Sequence, residues 1–327
     1  MNVTHRIQNL LQQRTCIAGL GHRLLIAATT LVLAAGCGAG SGKAPGAGQE
    51  VFSTPEEAAE ALIAAAEDFD VEALTRILGP DGVDLVETGD PVQDRNQSEA
   101  FATVAREKTQ IVPDPDDPKV AVLWVGVENW PVPMPIVEDG GRWFFDTEAG
   151  REELLYRRIG SNELDAINVC LGYVEAQREY AMVKHDGALV NQYAQRVLST
   201  PGKQDGLAWQ DPDGIWRGPV GEGIARAIAE GYDEKGSPYH GYYFKVLKGQ
   251  GPDAPMGEMD FVVKGAMIGG FALAAAPVDY GVTGVMSFIV SHDGVVYQQD
   301  LGPDTLDQYH AMKLYNPDPA WEPVAQE

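Results

Sequence analysis

Apolar residues recur at helical spacing in the first part of the chain and alternate or cluster into short runs later. Ala58, Leu62, Ala65, Ala66 and Phe69 keep a period near 3.6 directly after Thr54-Pro55-Glu56-Glu57, a capping box with proline at the first helical position. The pattern predicts a helix there. Asp70 is placed to cap a second, shorter helix through Leu74, Ile77 and Leu78, which Gly79-Pro80 stops. A third helix is expected over 101–108, after which the Pro-rich 113–118 stretch reads as a rigid acidic loop. Residues 120–127 read as a strand and 131–136 as an extended crossing. Gly140-Gly141 reads as a turn into Arg142-Trp143-Phe144-Phe145. Helices laid on a bent sheet make an α+β layer.

The second half opens with a longer helix. Ser161 can cap it, and Leu164, Ile167, Leu171, Val174 and Ala181 form an apolar seam at roughly heptad spacing. Cys170 sits beside that seam and reads as a small buried hydrophobe. Glycine-punctuated strands follow over 242–247, 260–263, 270–274 and 285–290. His292-Asp293-Gly294 turns the chain into Val295-Val296-Tyr297, Asp304-Thr305 caps a short helix, and residues 316–319 are expected to end ordered structure. The expected fold class is therefore α+β: N-terminal helices on a bent, cone-like sheet, then a long helix packed on an antiparallel β-sheet. Burying each side chain of the seam gains roughly 1.5–3 kcal/mol. The sheet face of Phe244, Val246, Phe271 and Phe288 is the expected place for it. The expected units are 51–158 and 159–317, with a tail over 318–327. The boundary falls between Asp146 and Ser161, with Arg157-Arg158 expected at the interface.

Composition changes the picture mainly at the start. The chain has 327 residues with 24 Lys+Arg against 48 Asp+Glu, a net charge of −24. So acidic a chain is a poor nucleic-acid binder, and no nucleic-acid partner is expected. Yet residues 1–36 carry Arg6, Arg14 and Arg23 and no acid. An apolar run over 24–33 follows, then Ala34-Ala35-Gly36-Cys37. A basic region, a short apolar core and a small-residue cleavage site make an export signal, and the run is too short to favour a spanning helix. The cysteine after the small residues resembles a bacterial lipobox. That resemblance implies cleavage after residue 36 and acylation of Cys37, which anchors the chain to a membrane. Leu33 stands one place early for the usual pattern. In a Gram-negative cell Gly38, rather than Asp, favours the outer membrane facing the periplasm. Residues 37–50 read as a flexible tether. Cys16 would leave with the signal, so Cys170 alone would remain free and no internal disulfide is expected.

Candidate chemistry is sparse. There is no H-E-x-x-H, G-x-S-x-G, phosphate-binding loop or paired C-x-x-C, so the catalytic residues are unknown and neither a metal nor a cofactor is expected. His185-Asp186-Gly187 and His292-Asp293-Gly294 share a local form that turn chemistry explains, and Asp211-Pro212-Asp213-Gly214 reads as a turn. A site built from His240 or His292 needs those residues to converge in space with a carboxylate. Tyr239-His240-Gly241-Tyr242-Tyr243 is an aromatic stretch among glycines, and Tyr239, His240 and Tyr242 are candidate ligand-facing residues. In the N-terminal part, Trp124, Trp143 and Phe145 are candidates to line a pocket.

Several stretches resemble the DUF2950 family of uncharacterised bacterial secreted proteins and lipoproteins, over about 52–321. They are Trp143-Phe144-Phe145-Asp146, Arg157-Arg158-Ile159-Gly160, Asn162-Glu163-Leu164, Ala176-Gln177 with Tyr180, and Tyr193-Ala194-Gln195. Asp205-Gly206-Leu207-Ala208-Trp209, Tyr239-His240-Gly241-Tyr242-Tyr243, Met267-Ile268-Gly269-Gly270-Phe271-Ala272 and Asp300-Leu301-Gly302 continue them. Ala208 and Ala275-Ala276-Pro277 depart from the aromatic residues usual in the family. The resemblance implies location and fold and carries no chemistry. The N-terminal order is similar to the nuclear-transport-factor-like cone fold, and the C-terminal part weakly resembles pilin-like heads without their N-terminal segment. The expected role is non-catalytic binding or scaffolding at the cell envelope, toward an envelope protein or a small ligand. The alternatives are a periplasmic hydrolase and a small-ligand-binding protein.

Overall fold

A computed structural model describes residues 43–87, 89–221 and 239–325. Cys37 and the expected export signal lie outside the described residues. The described chain forms two compact units that meet in sequence between Tyr156 and Arg157, and the architecture is α+β.

In the N-terminal unit, α1 (Pro55–Glu67), α2 (Val71–Leu78), α3 (Val83–Val86) and α4 (Pro91–Glu107) precede a five-stranded antiparallel sheet. Thr54 accepts from the Glu57 N–H at 3.2 Å, while the Glu57 carboxylate reaches back to the Ser53 N–H at 3.0 Å. Asp70 caps α2 through the Ala73 N–H. The third helix is longer than its apolar pattern: it runs from Pro91, capped by Asp90 through the N–H groups of Val92 and Gln93. Its first turns are polar, and Asp94, Ala102 and Ala105 are what it buries, so hydrophobic periodicity shows only its last turns.

The strands are β1 (Thr109–Pro113), β2 (Val120–Val125), β3 (Trp130–Pro131), β4 (Ile136–Asp139) and β5 (Arg142–Phe145). Asp139 pairs with Arg142, leaving Gly140 and Gly141 as a two-residue turn with φ of 57° and 80°, the twist a tight hairpin requires. On β2, Ala121, Leu123 and Val125 face the helices. The start of the described chain is less free than a tether. Gln49 donates to the carbonyls of Ile77 at 3.1 Å and Phe145 at 2.8 Å, and Lys43 pairs with Asp146 at 2.8 Å.

Helix α5 (Thr147–Tyr180) starts fourteen residues before Ser161. The Asp146 carboxylate accepts from the Ala149 N–H at 3.1 Å, a cap that the apolar seam gave no sign of. The first turns belong to the N-terminal unit, where Arg151 pairs with Asp84 of α3. From Arg157 the same helix belongs to the C-terminal unit.

There it packs on a sheet of order β17-β16-β15-β14-β9, antiparallel throughout. The strands are β9 (Tyr242–Leu247), β14 (Ala272–Pro277), β15 (Met286–Ser291), β16 (Val296–Asp300) and β17 (Glu322–Pro323). Short pairs accompany it: β6 (Arg196–Leu198) parallel to β7 (Gly206–Gln210), with β8 (Trp216–Arg217) on β7, β10 (Gly249–Gln250) with β11 (Met259–Asp260), and β12 (Val262–Val263) with β13 (Ala266–Met267). Every residue of β14 is buried, with α6 (Thr305–Ala311) against it. Its alanines are therefore covered on both faces of the sheet.

The helix–sheet packing agrees with the expectation, but the face differs. The buried line is Ala166, Cys170, Tyr173, Val174, Gln177 and Tyr180, with Ile167 and Leu171 half-buried against it, so the expected seam flanks that line and its first residue, Leu164, at 46% exposed, lies outside. Cys170 is on the buried line rather than beside it. Small and polar residues such as Ala166 and Gln177 share the buried face with Val174, so hydrophobicity alone showed only one edge of it. Order also continues past residue 317: Trp321 is buried and the Val324 N–H donates to the Val296 carbonyl.

Candidate functional site

The C-terminal end of α5, the segment after it, the β6–β7 connection and the β12–β13 turn enclose an open polar cleft of about 570 Å³. It lies wholly within the C-terminal unit. Gln177, fully buried one turn below, holds one wall. Its amide donates to the Ala194 carbonyl at 2.8 Å and to the Tyr173 hydroxyl at 2.9 Å, and its carbonyl accepts from the Ala194 N–H at 2.8 Å. That clamp fixes Tyr193 and Gln195 on either side of Ala194. Tyr193 sets its ring 4.8 Å from Phe271, and Gln195 donates to the Gly265 carbonyl at 2.7 Å.

The opposite wall is held by Tyr180 and two aspartates. The Tyr180 hydroxyl donates to the Gln204 carbonyl, and burial, with Asp186 and Asp205 nearby, pushes its pKa up to about 12. His185 stacks on Tyr180 at 3.9 Å. Its ring nitrogens meet the Tyr180 carbonyl at 3.0 Å and Gln204 Oε1 at 3.2 Å. Asp186, in the left-handed region at φ 49°, accepts from the Gln204 N–H at 2.7 Å. Burial raises the Asp205 carboxyl. Hydrogen bonds from the Thr200 N–H and hydroxyl, with Arg196 at 3.8 Å, outweigh it and leave the group below its ordinary value. Lys203 and Gln192 complete the lining. The cleft thus offers tyrosine, amide, carboxylate and ammonium groups on a prepaid frame of hydrogen bonds, which suits recognition of a polar ligand.

The sequence-derived candidates fall elsewhere. Tyr242 is fully buried, its hydroxyl donating to the Met286 carbonyl at 2.8 Å, and burial pushes its pKa well up. It is a core residue because β9 alternates, with Tyr242, Phe244 and Val246 facing in. Tyr239 and His240 bracket the start of a turn with φ of 48° at His240 and 75° at Gly241. His240 pairs with Asp165 at 3.0 Å and meets Tyr239 edge-on at 4.4 Å. His292 packs against Phe261 and Phe271. The turn of His240 adjoins the Pro277 end of β14 and His292 follows the strand paired at its Ala272 end. Six residues at about 3.3 Å each put them roughly 20 Å apart. The structure does not bring them together. Burial pushes the Cys170 thiol up to about 12, which leaves no thiolate for chemistry.

In the N-terminal unit Phe145 is buried in the core, Trp143 packs against that core, and Trp124 lies half-buried on the other face of β2. A pocket of about 250 Å³ does exist there, lined by a different set that includes Trp130 and Phe101. Asp211-Pro212-Asp213-Gly214 is the turn between β7 and β8, with Asp211 paired to Arg217 at 2.9 Å. Among the described residues no group of three or more His, Cys, Asp or Glu is placed to hold a metal ion. None of the described helices is long and apolar enough to cross a membrane.

The family model of DUF2950, described as a protein of unknown function, matches residues 49–324. The chain belongs to the DUF2950 family. No curated protein and no solved structure matches it, and the likeness to pilin heads gains no support from these comparisons. Tyr180, Tyr193, Gln195 and Asp205, which line the cleft, all come from the stretches that carry the DUF2950 resemblance. Their joint appearance was the signal that sequence reading passed over. Asp186, Gln192 and Lys203 had none. One more DUF2950 stretch explains itself in the same unit: Asn162 donates to the Thr283 carbonyl at 2.8 Å, and the adjacent Glu163 accepts from the N–H groups of Val285 and Met286. They tie α5 to the start of β15.

Proposed function

We propose that this DUF2950 chain is an exported lipoprotein, held at the cell envelope through acylated Cys37, whose role is non-catalytic binding or scaffolding. The observation that carries the binding reading is the cleft, where four separate segments deliver tyrosine, amide and charged groups to one open surface. The candidate acid–base groups support it too. His240 is spent on Asp165, His185 on Tyr180 and Gln204, and His292 lies at the far end of the sheet from His240. A hydrolase built on His240 and His292 would need them within hydrogen-bond reach of a shared substrate. In a Gram-negative cell the proposed site of attachment is the outer membrane, facing the periplasm, with an envelope protein or a small polar molecule as partner.

Two experiments test this reading. Metabolic palmitate labelling is expected in the wild type and lost in Cys37→Ala; equal labelling of both sinks the anchor. Pull-down of the intact protein from its native envelope is expected to recover a partner that Lys203→Glu, a change at an exposed cleft position, releases. An unchanged set of co-purifying molecules removes the cleft from the function.

A further inference from the structure

The pocket of the N-terminal unit is independent of the cleft and has a different chemistry. Its volume, about 250 Å³, lies just below the usual small-molecule range of about 300–1,000 Å³, so the occupant is small. Most of the wall is apolar: Phe69, Leu74, Phe101, Trp130 and Met134 contribute rings and aliphatic groups from the turn between α1 and α2, from α2 and α4, and from the segment after β2. One strip is polar. Asp94, Gln97 and Ser98 stand at i, i+3 and i+4 on α4, and therefore on one face of that helix. Ser98 is committed to the Ala66 carbonyl at 2.9 Å. Asp94 is 6% exposed.

A carboxylate is seldom this buried in an apolar wall, because the charged form loses hydration. Asp94 is engaged within the protein, and with about four acceptor positions its carboxylate can take a further donor as well. Near such a wall a cationic donor gains a charge-assisted hydrogen bond, while its hydrocarbon part gains by leaving water. A neutral alcohol gains less, and an anion is repelled. Phe69, one ring of that wall, already has a cation beside it: the Arg95 guanidinium lies 5.0 Å from its centroid. We propose that this pocket binds a small cationic amphiphile, an ammonium group on a short aryl or alkyl tail, with the ammonium at Asp94 and the tail among Phe69, Phe101 and Trp130.

The test uses the full chain carrying Cys37→Ala, so that no detergent competes for the pocket. Three probes of one shape are titrated by calorimetry: 4-phenylbutylamine, 4-phenylbutanol and 4-phenylbutanoate. The amine is expected to bind at least about tenfold more tightly than the alcohol, and the carboxylate not at all. Asp94→Asn is expected to abolish the preference of amine over alcohol. Gln97→Trp, at an exposed position on the rim, is expected to weaken the amine by at least about tenfold by filling the mouth. Equal binding of the three probes by the wild type overturns the proposal. So does amine binding that survives Gln97→Trp, which would place it elsewhere. The wild-type series and Gln97→Trp decide the matter even if Asp94→Asn does not fold.

Discussion

The two units bury apolar surface by different means. In the N-terminal unit α1 and α2 lay alanine, leucine and isoleucine on a small sheet, and Phe145 is the aromatic ring at the centre of that cluster. In the C-terminal unit Tyr173, Tyr180, Tyr242, Phe244, Phe271 and Phe288 dominate, and each of those tyrosines brings a hydroxyl that needs a partner. Gln177 serves Tyr173, the Met286 carbonyl serves Tyr242, and the Gln204 carbonyl serves Tyr180. An aliphatic core is defined by shape and period. A tyrosine-rich core is defined also by point-to-point hydrogen bonds, and those bonds also build the walls of the cleft.

The sharpest way to break this comparison is to remove one centre from each unit. Phe145→Ala is expected to cost about 3–5 kcal/mol by leaving a cavity in the N-terminal core. Gln177→Ala removes far less apolar surface but strands the Ala194 N–H and carbonyl, and about 2–4 kcal/mol is expected from those unmet groups. Chemical denaturation followed by amide exchange should show each loss confined to its own unit. A near-neutral Gln177→Ala would mean that the polar clamp is dispensable and the two cores are alike. Losses shared by both units would show that they unfold together.

The next test concerns the face of α5. Ala166 is buried at 1% exposure in the core that α5 shares with the sheet, and Leu164 is 46% exposed. Ala166→Leu is expected to cost about 1–3 kcal/mol by overpacking. Leu164→Ala is expected to stay within about 0.5–1 kcal/mol, as for other exposed positions. Denaturant midpoints of the two variants measure this directly. The reverse order would put Leu164 back in the seam beside Val174.

These contrasts also explain what could be read in the chain beforehand. The caps of α1 and α2, the Gly140-Gly141 hairpin and the main strands of the C-terminal sheet are local: a few adjacent residues determine each, and each is where the sequence places it. The start of α5 at Thr147 and of α4 at Pro91 were missed, because a single capping aspartate outweighs an apolar pattern that begins later. The cleft was harder still. Tyr180, Tyr193, Gln195 and Asp205 are spread over twenty-six residues and brought together by Gln177 and Gln204, whose bonds reach backbone groups that no side-chain pattern reveals. The aromatic residues at 239–243 drew attention because rings are conspicuous, although Tyr242 is in the core for the same reason any alternating strand residue is.

The smallest expected effect lies at a polar group that the C-terminal unit accommodates poorly. Lys245 alternates with the buried residues of β9, and its ammonium donates to the Tyr309 carbonyl and sits 4.4 Å from the centroid of the Tyr309 ring. Burial, with Lys313 adding like charge, nonetheless lowers its pKa to about 8 from the ordinary 10.5. Below pH 8 the ammonium is present in folded and unfolded chains alike and the full cost of burying it is felt. Between about pH 8 and 10.5 the folded state sheds the proton while the unfolded state keeps it, so stability rises with pH. Solvent access to the half-buried side chain reduces the gain to the order of 1 kcal/mol. Lys245→Met keeps the stem and removes the titration. The difference in unfolding free energy between wild type and Lys245→Met, measured by chemical denaturation at pH 7 and pH 10, should therefore move in favour of the wild type at the higher pH. A difference independent of pH would mean that the carbonyl and ring of Tyr309 fully offset the burial of the charge, and that this unit satisfies Lys245 as completely as Tyr173, Tyr180 and Tyr242.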